Sequence, residues 1–233
     1  MAGDGGFVLL PSGVSATVLD TAELSPREAY GVLTSLVVPR PIAWVSTVGR
    51  DGRGNLAPFS YFQAVCSRPP TVMLSIAWRP DGTPKDTLRN ILDTEAFSIS
   101  VVDAPLAESM NRTSAEFPPG TSEWEAVGIA SAPGSRIPVP RVAEAGAALE
   151  CRLVHAVPMG TGRSGAPSVT VVFGRVVAVV VRDDLVVRDT SGRPCGVDGK
   201  RIAPVGRLGG TAYVTTDHRF DLSRPKVPEE EPA

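Results

Sequence analysis

Histidine is nearly absent from this sequence, with two in 233 residues, and cysteine is scarcely commoner, with three. His155 stands in the strand-like run CRLVHAV and His218 near the C-terminal end, so neither a Ser/His/Asp hydrolase nor a histidine metal site can be assembled plausibly. Cys66, Cys151 and Cys195 lie far apart with no C-x-x-C pair, which excludes a zinc site and a disulfide framework. Cys66 and Cys151, in apolar surroundings, are expected to be buried fillers. No paired-carboxylate motif is present, no G-x-G-x-x-G follows a strand, and no P-loop signature occurs. Charge of one sign is also lacking: the net formal charge is −2, giving no electrostatic case for nucleic acid or a membrane surface as partner. No apolar run approaches the roughly 20 residues of a spanning helix, and the longest, VVAVVV at 176–181, is strand-like. The N-terminal MAGDGGFVLLPSG has no basic or long apolar region, so a cytoplasmic location is expected.

What is present is a β-rich pattern. LSPREAYGVLTSLVVPRP opens with Ser25, Pro26 and Glu28, a capping box, and carries Ala29, Leu33, Leu36 and Val37 at helical spacing until Pro39 and Pro41 end it. Two β-rich runs then flank Asp51-Gly52, the pattern of a hairpin. PTVMLSIA (70–77) and AFSISVVD (96–103) read as strands around a helix. From Asp103 a short helix gives way to a Pro/Gly/Ser-rich stretch reaching about Pro140 and containing Trp124. So long a connection is expected to be a lid or a partner contact. AALECRLVHAVPM and the strongly β-branched SVTVVFGRVVAVVVRDDLVV resume the sheet, the latter at its centre. Short turns between most strands predict a mostly β fold, an antiparallel β-barrel with peripheral helices. The boundaries read as an N-terminal extension over 1–20, one domain over 21–216 and a C-terminal tail over 217–233.

Chemistry could reside in four stretches. In WRPDGTPKDTLRNI, Thr83 and Pro84 look like the N-cap and first residue of a helix, with Leu88, Ile91 and Leu92 on one face. This places Lys85 and Thr87 in the first turn, where free N–H groups and the helix dipole attract anions. A plain cap formed by Thr83 and Asp86, with Lys85 in solvent, accounts for the same residues. In NLAPFSYFQAV, Pro58 signals an edge strand or bulge, which would turn Asn55, Ser60 and either Tyr61 or Phe62 toward a cavity, where Asn and Ser with backbone groups suit a planar heterocycle that donates and accepts hydrogen bonds. AWVSTV offers hydroxyls on a strand. VGRLGG offers a close backbone turn with Arg207 available for an anion. Phosphate and heterocycle features without acid–base side chains point to chemistry carried by a cofactor.

Together with LAESMNRTSAEFPPGTSEWEAVGI, ALECRLVH and PVGRLGGTAYV, these motifs resemble in order the flavin reductase-like, FMN-binding split-barrel family over about residues 25–216. The resemblance implies a homodimer with FMN at its interface, FAD as an alternative exchanged flavin, and NADH or NADPH as reductant. Many relatives pass reduced flavin to a partner monooxygenase. It implies that Val45, Ser46 and Thr47 lie along the flavin. Asn55, Ala57, Ser60 and Tyr61 would approach the isoalloxazine and ribityl chain, and Lys85, Asp86 and Thr87 the phosphate. Arg207 and Tyr213 would border the same cleft. No metal ligand and no catalytic side chain are implied, because hydride transfer needs geometry rather than a protein base. An FMN-retaining oxidoreductase acting on an organic substrate and a non-catalytic flavin-binding electron carrier remain as alternatives.

Overall fold

A computed structural model describes residues 7–9, 15–118 and 121–225. A short pair, β1 (Phe7–Leu9) and β2 (Ser15–Thr17), precedes α1 (Pro26–Leu36), β3 (Arg40–Pro41), β4 (Ala43–Val48), β5 (Gly54–Phe59), β6 (Phe62–Ser67) and β7 (Pro70–Ala77). Next come α2 (Asp86–Thr94), β8 (Ala96–Ser100), α3 (Ala107–Arg112), α4 (Glu123–Val127), β9 (Ser131–Ala132) and β10 (Arg141–Val142). The chain continues with β11 (Ala147–Met159), β12 (Val169–Val181), β13 (Val186–Arg188), β14 (Pro194–Val197), α5 (Gly199–Ile202), β15 (Gly206–Arg207) and β16 (Tyr213–Val214). Most of the N-terminal extension and the end of the tail, including most of RPKVPEEEPA, lie outside the described residues. Among the described residues, no helix is long and apolar enough to cross a membrane.

Seven antiparallel strands form the main sheet in the order β5-β4-β8-β11-β12-β7-β6. Its two outer strands, β5 and β6, follow one another in sequence with only Ser60 and Tyr61 between them. The barrel is therefore split at the NLAPFSYF motif, where Ser75 N donates to Tyr61 O at 2.8 Å. Pro58 is tolerated because β5 is an edge strand with a ladder on one side only. The expected hairpin turn is there, with Gly52 at φ +80°. β12 lies inside the sheet, as its β-branched run predicted.

Alternation sorts the side chains into two cores. Val72, Leu74 and Ile76 of β7 point inward with Val45, Phe97 and Val172, and α2 plugs this interior with Leu88 and Ile91. Leu92, expected on the same face, is exposed instead, because the buried stripe of so short a helix is narrow. Gly174 makes room for Phe97: a Cβ there would sit 2.3 Å from the phenyl ring. The opposite face of β4 and β5 carries Trp44 and Leu56, covered by Met110 of α3 and Trp124 of α4.

This second core takes in much of the 104–140 segment, expected to be a lid or a partner contact. The segment is fastened to the barrel: Trp44 Nε1 donates to Thr113 Oγ1 at 2.9 Å, Ser46 Oγ to Pro140 O at 2.5 Å, and Ile137 and Val139 are buried. Cys151 is a buried filler whose thiol burial and the Glu150 charge push up to about 12, whereas Cys66, on the outer strand β6, is exposed, contrary to expectation. His155 is an exposed strand residue.

Candidate functional site

The start of α2 decides between cap and anion seat. The helix begins at Asp86, not at Pro84, so Lys85 rather than Thr83 is its N-cap, and no side chain caps it. Thr83 instead closes the preceding loop on Asp81, its N and Oγ1 both bonded to Asp81 Oδ1. Asp86 is also drawn away from capping: Arg79 Nη2 donates to its Oδ2 at 2.7 Å, and Arg89 binds the other oxygen. Arg79 donates in addition to Pro84 O at 2.5 Å and so fixes the loop that carries Lys85. The expected cap by Thr83 and Asp86 is thus replaced by a helix start that no side chain caps, beside an exposed lysine.

Two strand positions meet this helix through hydrogen bonds. Thr47 and Asn55 are directly opposed on β4 and β5. Asn55 Nδ2 donates to Thr87 Oγ1 at 2.9 Å, and Asn90 Nδ2 donates to Thr47 Oγ1 at 3.1 Å. Thr87 and Asn90 are three residues apart and share a helix face, so the cross-strand pair is clasped to one side of α2. The clasp brings the NLAPFS and KDT motifs together. It also buries Thr87, which therefore holds strand and helix in place rather than presenting its hydroxyl. Val45, Ser46 and Thr47 are fully buried as well, the two hydroxyls bonded to Pro140 O and Asn90, so their side chains offer no free surface. Asn55, Ala57, Ser60 and Asp86 are half-buried, and Lys85 and Tyr61 are exposed.

Tyr61 packs 6.5 Å from Tyr30 of α1, ring to ring. Burial raises its phenol, the neighbouring Tyr30 adds to this, and the Arg40 charge opposes it. Arg207 and Tyr213 lie on the paired strands β15 and β16: the guanidinium stands 4.7 Å over the ring and Nη1 donates to the phenol oxygen at 2.6 Å. β15 pairs with β3, which packs against β6, so this pair adjoins the split at Tyr61.

Sequence reasoning passed over Arg79 and Glu123. Glu123 Oε2 accepts Leu56 N at 3.1 Å, taking the outward N–H of edge strand β5 between Asn55 and Ala57. No periodicity marks such a residue; its partner is 67 positions away. The two acids near the helix start titrate in opposite senses. Burial works to raise the Asp86 carboxyl, but the Arg79 hydrogen bond and the charges of Arg89 and Arg79 outweigh it and hold it low. Burial, helped by the Asp86 charge, pushes Glu123 up against the Leu56 hydrogen bond. Asp86 therefore contributes stability above its unfolded pKa that is lost as pH falls through its folded value. Glu123 contributes stability below its unfolded pKa that is lost as pH rises through its raised folded value. Glu123→Gln keeps an acceptor for Leu56 without the charge, so its Tm relative to the parent is expected to climb between pH 4 and 7. A difference flat in pH, read by thermal denaturation, would rule the assignment out.

Open clefts of about 570 and 500 Å³ are lined by chain neighbours of these residues, one by Gly54, Ser122 and Trp124, the other by Pro39, Val214 and His218, and neither is lined by Lys85, Asp86 or Thr87. The candidate seat lies on the open surface of the split instead. Among the described residues no group of acids, histidines and cysteines could hold a metal ion.

Comparison with known proteins places this geometry. The family model of the flavin reductase like domain matches residues 35–194. Component B of nitrilotriacetate monooxygenase from Bacillus cereus superposes with a TM-score of 0.80 at 32% identity, covering 88% of this chain and 98% of that one. The 2-nitrobenzoate 2-nitroreductase of Pseudomonas fluorescens gives 0.78 at 33%, covering 90% and 96%. A protein of Halalkalibacterium halodurans is 38% identical over 209 residues, 90% of this chain and 97% of its own length.

Proposed function

The chain belongs to the flavin reductase like domain family and is a flavin-dependent oxidoreductase, and from that premise we propose that it binds FMN at the split and transfers hydride to it from NADH or NADPH. The observation that carries the reading is the bare N-terminus of α2, clasped to β5 with Lys85 at its mouth. An uncapped helix start leaves N–H groups that an anion satisfies, and the phosphate of FMN suits them. When bound, FMN supplies a carrier of two electrons and a proton.

The chain's own residues bind and orient. Lys85 and the N–H groups of Asp86 and Thr87 hold the phosphate. Asn55 fixes β5 to α2, so that Ala57, Ser60 and Tyr61 follow as a rail along the edge of the split. Glu123 occupies the outward Leu56 N–H, which would otherwise take water beside that rail. No side chain is needed as a base.

The apolar face of α1 supports a homodimer. Leu33, Leu36 and Val37, at the helical spacing that ordinarily marks a buried stripe, are 54%, 75% and 60% exposed in the single chain. Tyr61 and Val65 extend this surface across β6 to the split. A second copy covering it would close the open side of the flavin seat. Transfer of reduced flavin to a partner monooxygenase agrees with the resemblance to component B of nitrilotriacetate monooxygenase. Use of FMN on an organic substrate agrees with the resemblance to a nitroreductase.

The visible spectrum of the purified protein and its NADH and NADPH oxidation, with and without added FMN or FAD, test the reading. Bound or stimulating flavin and a solution mass near twice that of the chain are expected. No flavin bound and no stimulation by either flavin would sink it. Bound FMN that only a chemical reductant reduces would shift the assignment to the FMN-retaining oxidoreductase or the electron carrier.

A further inference from the structure

Two arginines stand opposite one another without an acid. The register of β3 and β15 pairs Arg40 with Arg207, so both side chains leave the same face of the ladder, their Cβ atoms about 5 Å apart. Like charges directly opposed in a sheet are destabilising. Neither arginine has a carboxylate within ion-pair distance among the described residues.

Arg40 is only 5% exposed and is held by carbonyls alone, its Nη1 donating to Thr34 O and Val37 O and its Nη2 to Leu208 O. The end of α1 offers it a partial negative charge, not a full one. Its Nε is buried and has no partner. Arg207 is half-exposed and donates from Nη1 to Tyr213 and from Nη2 to Gly210 O, which leaves about three of its five N–H groups free. Tyr213 Oη reaches Asn111 Oδ1 at 3.2 Å, steadying the ring beneath the guanidinium. A local rule is broken here with only neutral acceptors and a ring in place of an acid, as happens at functional positions.

Building on the flavin reading, we propose that Arg207, backed by the buried charge of Arg40, is an oxyanion seat beside Tyr61 for the ligand that exchanges electrons with the flavin. The group it takes is a carboxylate or a phosphate. An aromatic acid presents the first, and the pyrophosphate of a nicotinamide dinucleotide the second. Arg207 makes the contact; Arg40, its Nη atoms committed to carbonyls, acts through its field, which is strong because the guanidinium is out of water.

The test uses the flavin-loaded protein with benzoate, neutral benzamide and ADP-ribose as probes, measured by calorimetric titration and by the shift in Tm. Parent protein, Arg207→Met and Arg207→Lys are compared, and flavin content is read from the visible spectrum of each. Benzoate or ADP-ribose is expected to bind at least tenfold more tightly than benzamide and to raise Tm. Arg207→Met loses that tenfold and Arg207→Lys largely keeps it. Benzoate alone identifies an aromatic acid, ADP-ribose alone a dinucleotide, and both an oxyanion seat without further selection.

In buffer free of these anions Arg207→Met is expected to melt no lower than the parent, because the opposed charges are relieved. An arginine that serves only the packing of Tyr213 gives the reverse, a lower Tm and unchanged anion binding, and overturns the proposal. So does a parent protein that binds neither anion better than benzamide, the result expected if a carboxylate of a second copy already fills the seat. Flavin retained without anion binding overturns the seat alone, whereas no flavin at all overturns the reading beneath it.

Discussion

Lys85→Glu is expected to weaken FMN binding about a hundredfold, roughly 2.7 kcal/mol, while leaving thermal stability unchanged or slightly raised. The two effects separate because the Lys85 side chain is exposed and has no hydrogen-bond or ion-pair partner among the described residues, yet the residue stands as the N-cap of α2. Removing a cation and adding an anion beside a phosphate dianion changes two charge interactions at close range, each on the order of 1–4 kcal/mol before screening. An acid at a helix start, by contrast, complements the dipole and costs the fold nothing. Titration by quenching of flavin fluorescence measures the affinity. Riboflavin is the internal control: lacking the phosphate, it should bind the two proteins within about threefold of each other, well below the hundredfold effect. Equal loss for FMN and riboflavin would show that the substitution distorted the split rather than the phosphate seat. Asn55→Ala is the companion change, acting at a distance by releasing the strand from Thr87.

Glu150→Ala is expected to lower stability by about 3 kcal/mol, which for a chain of this length is roughly 6–12 °C in Tm. Glu150 is fully buried on β11, and each of its oxygens accepts a backbone N–H at 2.6 Å, from Ser135 and from Arg136. Alanine orphans both donors, and each unsatisfied buried donor costs about 1–3 kcal/mol. The lower part of that range applies because Ser135 and Arg136 lie on exposed chain and water can reach them in part. Glu150→Gln keeps one acceptor and should fall between. Burial pushes the carboxyl up, but the Ser135 and Arg136 N–H bonds outweigh it and hold it low. Its stabilisation is therefore present above the unfolded pKa and lost as pH falls through the folded one. Differential scanning calorimetry at pH 7 and pH 4 reads both effects. A loss of less than about 1 kcal/mol would mean that segment 131–142 is not anchored by this residue.

Some of the molecule was legible directly. The capping box of Ser25 and Glu28 forms as the pattern demands, with Glu28 Oε2 accepting Ser25 N at 2.9 Å. The strands 70–77 and 147–159 begin and end where composition changes, because alternation and turn residues are local signals. Pro58 restricts its strand to an edge or a bulge, and β5 is an edge strand. Other readings failed for equally physical reasons. Thr83 and Pro84 imitate a helix start, but Asp81 claims Thr83 and Arg79 claims Pro84 O, and the helix waits for Asp86. The apolar stripe of α1 was read correctly as a stripe and is nonetheless exposed, since periodicity says that a face wants covering and not whether the same chain covers it.

By itself, then, the sequence determined the elements, the mostly β class and the set of motifs, since each rests on residues within a turn or a strand of one another. Only the tertiary structure decided what those motifs do together. It put Asn55 on Thr87 and Glu123 on Leu56, bared the start of α2, and set Arg40 opposite Arg207 with no acid between them. Those are hydrogen bonds and fields between residues up to 167 positions apart, the span from Arg40 to Arg207, and no local pattern encodes a distance that only the closing of the barrel creates.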